Sequence, residues 1–294
     1  DLSTSWTWTE YWDAIYQINQ TGYYGTVLGG MFFGAQPYYF GHGAELFENG
    51  TVAFENIAID SAESIEGLTF VKNLTDSAYT PPWTLQGWTN LNLYFIDEVQ
   101  VGMINQGPWE LKNFLRNSEQ FNPLLWDDPP EWVGPDNLGV MQLPRDEDGN
   151  SGAPVGGQWY VLSKNTEGEK AEAAKKFIRY ITSEDVMTDK AVQYYHIPVR
   201  PAVIERAELN STNEDNVVPY PYVKGYFDAV VSAVTVPVDH RWASIEQRFA
   251  DNLDEYLAGD LTLNETIEAT KAEWRTIIPP AGAGEETEAN IPGF

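Results

Sequence analysis

Apolar side chains recur every three to four residues in separate stretches of this chain, the spacing that places them on one face of a helix. Tyr11, Trp12, Ile15 and Ile18 form one such face, with Thr9 as the candidate cap. Ala62, Ile65, Leu68, Val71 and Leu74 form a second, with Asp60 at its start. Pro81-Pro82 closes that region. A helix over 89–97 then leads into a short apolar strand at 101–104. Thr166 and Glu169 have the spacing of a capping box ahead of Ala171, Ala174, Phe177, Ile178 and Ile181. Ser183 stands as the cap of the helix after it, and residues 242–257 and 263–277 carry two more helical patterns.

Between these helices the pattern changes. Residues 24–47 are rich in glycine and aromatic side chains and suggest buried turns and short helices. LGVMQLP (138–144) suggests a strand stopped by Pro144, followed by the polar turn RDEDGNSG. Residues 153–163 suggest a second strand region, entered through Gly156-Gly157. The tail from 281 onward is rich in Gly, Ala and Glu and is expected outside the core. Helices interspersed with short strands make α/β the expected class.

Charge narrows the partners. Asp and Glu total 44 against 17 Lys and Arg, a net of −27. A chain of this sign repels nucleic acid and anionic membranes. Ordinary solubility accounts for some of the excess; the surface of a halophile, kept hydrated by carboxylates, accounts for its size better. The chain has no cysteine, which excludes disulfides, thiolate metal sites and cysteine nucleophiles. No apolar run is long enough to cross a membrane. The opening residues lack the basic-then-apolar order of a leader, so a leader has been removed or the sequence starts inside a longer precursor. Sequons at Asn19, Asn49, Asn73, Asn210 and Asn264 suit an N-glycosylated surface protein, or arise by chance in an Asn- and Thr-rich chain.

Catalytic signatures are missing. His42, His196 and His240 have no metal-ligand spacing, and there is no nucleophile elbow, P-loop or dinucleotide fingerprint. With so many acids, any two could be cast as a glycosidase pair, so their presence carries no information. No cofactor or metal is implied. The aromatic residues are better organised. Trp109 follows a Gly-Pro step, Trp159 follows Gly156-Gly157, and Trp242 follows Pro237. Phe32 and Phe33 sit in a Gly-rich bend, and Trp88 in a Gly-Trp-Thr turn. Aromatics at element ends line clefts, and core packing is the competing role for each.

Several segments, taken in order, carry a resemblance. FIDEVQVGMINQGPW (95–109), LGVMQLP (138–144), APVGGQWYVLSKN (153–165) and EKAEAAKKFIRYITSED (169–185) resemble successive segments of the extracellular solute-binding proteins of ABC importers, maltose-binding type. YYHIPVRPAV (194–203), TVPVDHRW (235–242) and LAGDLTLNETIEATKAEWRTII (257–278) continue the same order. The resemblance begins at TWTEYWDAI, in the middle of the family pattern.

That resemblance implies a periplasmic-binding-protein-like fold of type II: two α/β lobes joined by hinge strands, with the first lobe incomplete here. Residues 1–150 and 203–278 would form the second lobe. Residues 151–202 would be a remnant of the first with its crossing strand, and 279–294 an acidic tail. It implies a protein without catalysis that captures a small solute, a mono- or oligosaccharide, outside the cell and delivers it to the permease of an ABC transporter. The cell surface is the implied location, with anchoring through an absent N-terminal segment. The ligand contacts implied are Trp109, Trp88, Phe32, Phe33, Gly156, Gly157, Trp159, Trp242 and, near the late loop, Glu246. A glycosylated scaffold on a halophile surface is the alternative, and a glycoside hydrolase a more distant one.

Overall fold

In the computed structural model the described residues are 6–87, 90–91, 94–95, 100–114, 138–157, 159–194, 196–206, 225–226, 228–230 and 233–280. The first helix, α1 (Trp8–Asn19), starts two residues earlier than the apolar pattern suggests. Thr7, not Thr9, is the cap: its hydroxyl accepts from the Glu10 N–H at 3.3 Å while the Glu10 carboxylate accepts from the Thr7 N–H at 2.7 Å. This reciprocal pair satisfies two donors that a bare helix start would leave open. It also draws Trp8 into the helix and into the core, where its indole N–H donates to the Gly41 carbonyl.

Strand β1 (Tyr24–Val27) runs parallel to β2 (Val101–Ile104), with Tyr24 opposite Val101 and Val27 opposite Ile104. A side chain at Gly25 would come within 2.4 Å of Ile15, so glycine lets α1 lie directly on the strand. After β1 the chain enters α2 (Met31–Phe40). Residues 24–47 are thus a strand, a ten-residue helix and a closing turn, where buried turns and short helices are expected from the sequence. The helix was masked because it is buried almost all round, which leaves no polar face to create a periodic pattern. Its glycine has a packing reason: a Cβ at Gly34 would collide with the Gly29 carbonyl oxygen at 1.8 Å.

Helix α3 (Ala62–Asp76) is capped by Ser61, whose hydroxyl accepts from the Ser64 N–H, and not by Asp60, which pairs with Lys271. The cap sets the phase. Ser64, Leu68, Val71 and Leu74 face inward, while Ala62 and Ile65 stay exposed. Gly67 lies against the Tyr39 backbone, and the Ser64 hydroxyl meets the Tyr39 hydroxyl at 2.7 Å.

The Trp242–Ala258 and Leu263–Ile277 helices turn back on each other at Gly259, whose φ of 89° is the left-handed geometry favouring glycine. Thr262 and Glu265 form the second helix's capping box. Ile245, Phe249, Leu253, Ile267 and Trp274 close one core with Trp8, Tyr38, Tyr39, Leu68 and Val71. Trp274 is sealed, stacked on Phe47 at 4.9 Å, and its N–H donates to the Ile245 carbonyl at 2.9 Å.

Two expected strands shrink or vanish. Residues 138–144 are irregular, held by the Trp6 indole N–H donating to the Gln142 carbonyl at 2.7 Å. A short apolar run makes a strand only with a partner, and no described strand lies alongside this one. Among the described residues of 153–163 only β3 (Pro154–Val155) is a strand, parallel to β4 (Val234–Thr235). The Gly168–Ile181 helix begins at a left-handed Gly168, so Thr166 falls outside the cap and no Thr166–Glu169 box forms. Of its apolar row only Ala171 is buried, and Phe177 is exposed. The polar turn is as expected: the Asp146 carboxylate accepts from both the Asn150 backbone and side-chain N–H groups at 2.7 Å. The expected helix over 89–97 and the tail from 281 fall wholly or largely outside the described residues.

Candidate ligand-binding site

In a parallel pair both strands end at the same edge, and that carboxyl edge is where open α/β sheets take ligands. From β1 the chain leaves through Leu28-Gly29-Gly30 into the first turn of α2. From β2 it leaves through Asn105-Gln106-Gly107 into the short helical turn Pro108–Glu110. Gln86 fastens the first exit: its side-chain oxygen accepts from the Leu28 N–H at 2.8 Å, and its amide donates to the Pro81 carbonyl at 2.7 Å. Trp109 dominates the second. It is 47% exposed and its ring folds back over Gly107, where a Cβ would lie 2.2 Å from the indole. Gly107 therefore allows the indole its position at the strand end.

On α2 the two phenylalanines separate. Phe33 points outward and is partly exposed. Phe32 is a correction to the expected set: it is 1% exposed and packs edge-on against Phe249 at 4.7 Å. Adjacent residues on a helix face different sides, and in this bend no pattern revealed which of the pair faces the core.

The second strand pair has the same arrangement. After β3 come Gly156, Gly157 and Trp159, all exposed, with Trp159 at 81%. After β4 the chain passes Asp239, Arg241 and Trp242 into the Trp242–Ala258 helix, which packs on α2 and on the turn Trp83–Leu85. Asp239 and Arg241 brace this entry. The guanidinium donates to both Asp239 oxygens at 2.9 and 2.8 Å and reaches the Val52 carbonyl, and it holds the Asp239 carboxyl down to about 2.

Trp242 is half-buried against the core. One turn later stands Glu246, whose carboxyl is pushed above its ordinary range by burial, an effect partly offset by the Trp242 side chain. Gln36, 1% exposed, donates to the Glu246 carboxylate at 3.4 Å. The structure thus brings Trp242, Glu246 and Gln36 together. Gln36 and Gln86 were missed from sequence; the only signal for Gln36 is one amide inside the aromatic run FFGAQPYYF. Trp88 lies outside the described residues.

Aromatic faces beside a partly desolvated carboxylate can stack on an apolar ring face and hydrogen-bond its polar edge. Among the described residues no group of His, Asp and Glu side chains is arranged to hold a metal. His42 is stacked on Trp8, its Nδ1 bonded to the Tyr38 carbonyl at 2.6 Å, while the His240 side chain is largely exposed. A separate concavity of 660 Å³ lies between the end of α2, the start of α3 and the Asp146–Asn150 turn. His42 and the carboxylates of Glu45, Glu63, Glu66 and Asp146 line it; none of the strand-end aromatics does.

Solved structures share this fold. The GacH receptor of Streptomyces glaucescens, solved free and with acarbose, superimposes with a TM-score of 0.74 at 22% identity, over 94% of this chain and 65% of its own. Maltose-bound MalE3 of T. maritima gives 0.75 at 20%, over 94% and 66%. An ABC transporter solute-binding protein of Thermotoga lettingae, solved with α-D-tagatose, gives 0.70 at 21%, over 94% and 65%. The chain therefore spans just under two thirds of the length of these proteins and shares that part of their periplasmic-binding-protein-like fold. Residues 2–215 match the family model described as bacterial extracellular solute-binding protein, and the chain belongs to that family.

Proposed function

We propose that this chain captures a mono- or oligosaccharide outside the cell, for delivery to the permease of an ABC transporter, and does not transform it. One observation carries the reading: exposed indoles and a partly desolvated carboxylate stand at the carboxyl ends of two parallel strand pairs. A pyranose has an apolar C–H face, which Trp109 and Trp159 can cover. It also has a hydroxyl edge, which suits Glu246, held in place by the buried Gln36. Solved proteins of the same fold were crystallised with maltose and tagatose, which supports a sugar over other small solutes. In this reading residues 1–150 and 203–278 make one lobe; 151–202 leave it through β3, which is paired with β4, and carry the exposed Trp159 into the other. Closure of the lobes would bury the sugar between them.

The test is a titration of tryptophan fluorescence with maltose, maltotriose, tagatose and glucose, paired with chromatography of the sugar afterwards. A saturable change with at least one sugar, and unchanged sugar after long incubation, is the expected result. No response to any saccharide, or release of smaller sugars that a single Asp or Glu substitution abolishes, overturns the reading.

A further inference from the structure

Of the sequons, four lie within the described residues, and their surroundings differ. Asn19 ends α1, and its side-chain amide donates to the Tyr23 and Ala78 carbonyls at 3.2 and 3.1 Å, so its nitrogen is occupied. Asn73 and Asn264 lie inside helices. In a helix residues two apart face different sides, so the Asn amide and the hydroxyl two residues on diverge. Their hydroxyls are also removed: Thr75 and Thr266 are buried, and each donates to a backbone carbonyl.

Asn49 differs in lying on a turn, with an exposed threonine two residues on. Asn49-Gly50-Thr51 is the tip of a loop whose base is the antiparallel bridge between Phe47 and Ile57, reinforced by the Ala58 N–H donating to the Leu46 carbonyl. Asn49 has φ 54° and ψ 27°, Gly50 has φ 65°, and the Thr51 N–H closes the turn on the Glu48 carbonyl at 3.2 Å. Asn tolerates the left-handed region better than other residues with a side chain. The Glu45 carboxylate holds the turn by accepting from the Asn49 backbone N–H at 3.0 Å. Asn49, Gly50 and Thr51 are all exposed. The Asn49 side-chain amide makes no hydrogen bond to the described residues, and the exposed Thr51 hydroxyl donates only a long bond of 3.5 Å, to the Asn49 carbonyl.

We infer that Asn49 is an N-glycosylation site of the folded protein, and that Asn19, Asn73 and Asn264 are not. The donor is a saccharide linked through its anomeric carbon to a polyprenyl phosphate or pyrophosphate. The Asn49 amide nitrogen forms a bond to that carbon while the carbon–oxygen bond to phosphate breaks. The phosphate leaves with the electron pair, and the nitrogen gives up one proton to solvent. An exposed turn with its amide unengaged can enter a transferase without unfolding; a helical sequon cannot.

The experiment presents the folded chain to an oligosaccharyltransferase with a lipid-linked saccharide, beside an acceptor protein known to be modified under the same conditions. Products are weighed intact and mapped by peptide. The expected result is a saccharide on the 49–51 sequon, with the Asn19, Asn73 and Asn264 peptides unmodified. Asn49→Gln and, separately, Thr51→Ala lose one saccharide in mass. Thr51→Ala leaves the Asn49 backbone turn in place, so its loss cannot be assigned to misfolding. An unmodified Asn49 peptide while the control acceptor is modified, or transfer to Asn73 or Asn264 at the same level, overturns the proposal.

Discussion

The Gln36 amide donates to the Glu246 carboxylate across 3.4 Å, joining α2 to the Trp242–Ala258 helix between residues 210 positions apart. Gln36 is buried, and burial raises the Glu246 carboxyl above its ordinary value. A carboxylate with a raised folded pKa holds its proton better in the native state, so its contribution is favourable below its unfolded pKa and is lost as pH rises through the folded one. At neutral pH Glu246 therefore costs stability.

Glu246→Gln removes that cost and keeps a partner for Gln36. The melting temperature should rise at pH 7, and the gain should shrink as pH falls through the carboxylate range. In the proposed role the same change weakens sugar binding, by about 1–3 kcal/mol for a lost hydrogen bond to a charged group. A melting temperature that falls at pH 7 would show the carboxylate to be a structural partner instead.

Trp109 and Trp274 make a matched pair of opposites. Trp274 is sealed, stacked on Phe47, with its N–H on the Ile245 carbonyl, whereas Trp109 is half exposed at the end of β2. Trp274→Ala should cost about 3–5 kcal/mol of stability, from the cavity and the orphaned carbonyl. Trp109→Ala should cost clearly less stability and about 1–3 kcal/mol of sugar affinity. Urea unfolding and fluorescence titration of both variants check this; equal stability losses would place Trp109 in the core.

Elements with a periodic apolar face were legible, but their caps were not: Thr7 and not Thr9 caps α1, and the Thr166–Glu169 box does not form. The Leu263–Ile277 helix and its place after Gly259 follow from local chemistry. Helix α2 was not legible, because a helix buried almost all round has no polar stripe and its Gly34 and Pro37 look like turn residues. Residues 138–144 mislead in the other direction, a short apolar run stopped by Pro144 that finds no strand partner among the described residues. In the site, the Gly107–Trp109 step marked a strand end correctly. Gln36 and Gln86 were invisible because their roles depend on partners far along the chain. Phe32 and Phe33 could not be told apart until the phase of α2 was known.

The Asp239–Arg241 pair gives a prediction of opposite sign to Glu246. Arg241 holds the Asp239 carboxyl at about 2, below its ordinary 3.8. A depressed folded pKa contributes stability above the unfolded value that is lost as pH falls from about 4 to about 2. Asp239→Asn should destabilise the chain at pH 7 by on the order of 1–2 kcal/mol. That difference from the parent should close by pH 2. Urea midpoints at pH 7, 5, 3 and 2 measure it, and a difference that persists unchanged at pH 2 would remove the ion pair as its cause.

The net charge of −27 makes the strongest prediction about conditions. Glu45, Glu48, Glu63, Glu66, Asp146, Glu147 and Asp148 line one concavity, so their repulsion is concentrated between the start of α3 and the Asp146–Asn150 turn. Screening lengths fall from about 10 Å at 0.1 M salt to about 3 Å at 1 M, so repulsion across that space should be strong in dilute buffer and largely gone at molar salt. The melting temperature should rise with NaCl or KCl. Each kcal/mol of relieved repulsion is worth roughly 2–4 °C in a chain of this size. Salting-out of apolar surface also stabilises proteins at high salt, and sulfate separates the two causes. If screening dominates, chloride and sulfate give the same curve at equal ionic strength below about 0.5 M, and diverge only above it. The double variant Glu66→Gln/Asp148→Asn should melt higher than the parent in dilute buffer and respond less to salt, with the two proteins converging at 1 M. A melting temperature independent of salt, or a double variant with the parent's full salt response, would show that carboxylate repulsion does not limit this fold and would end the halophile reading.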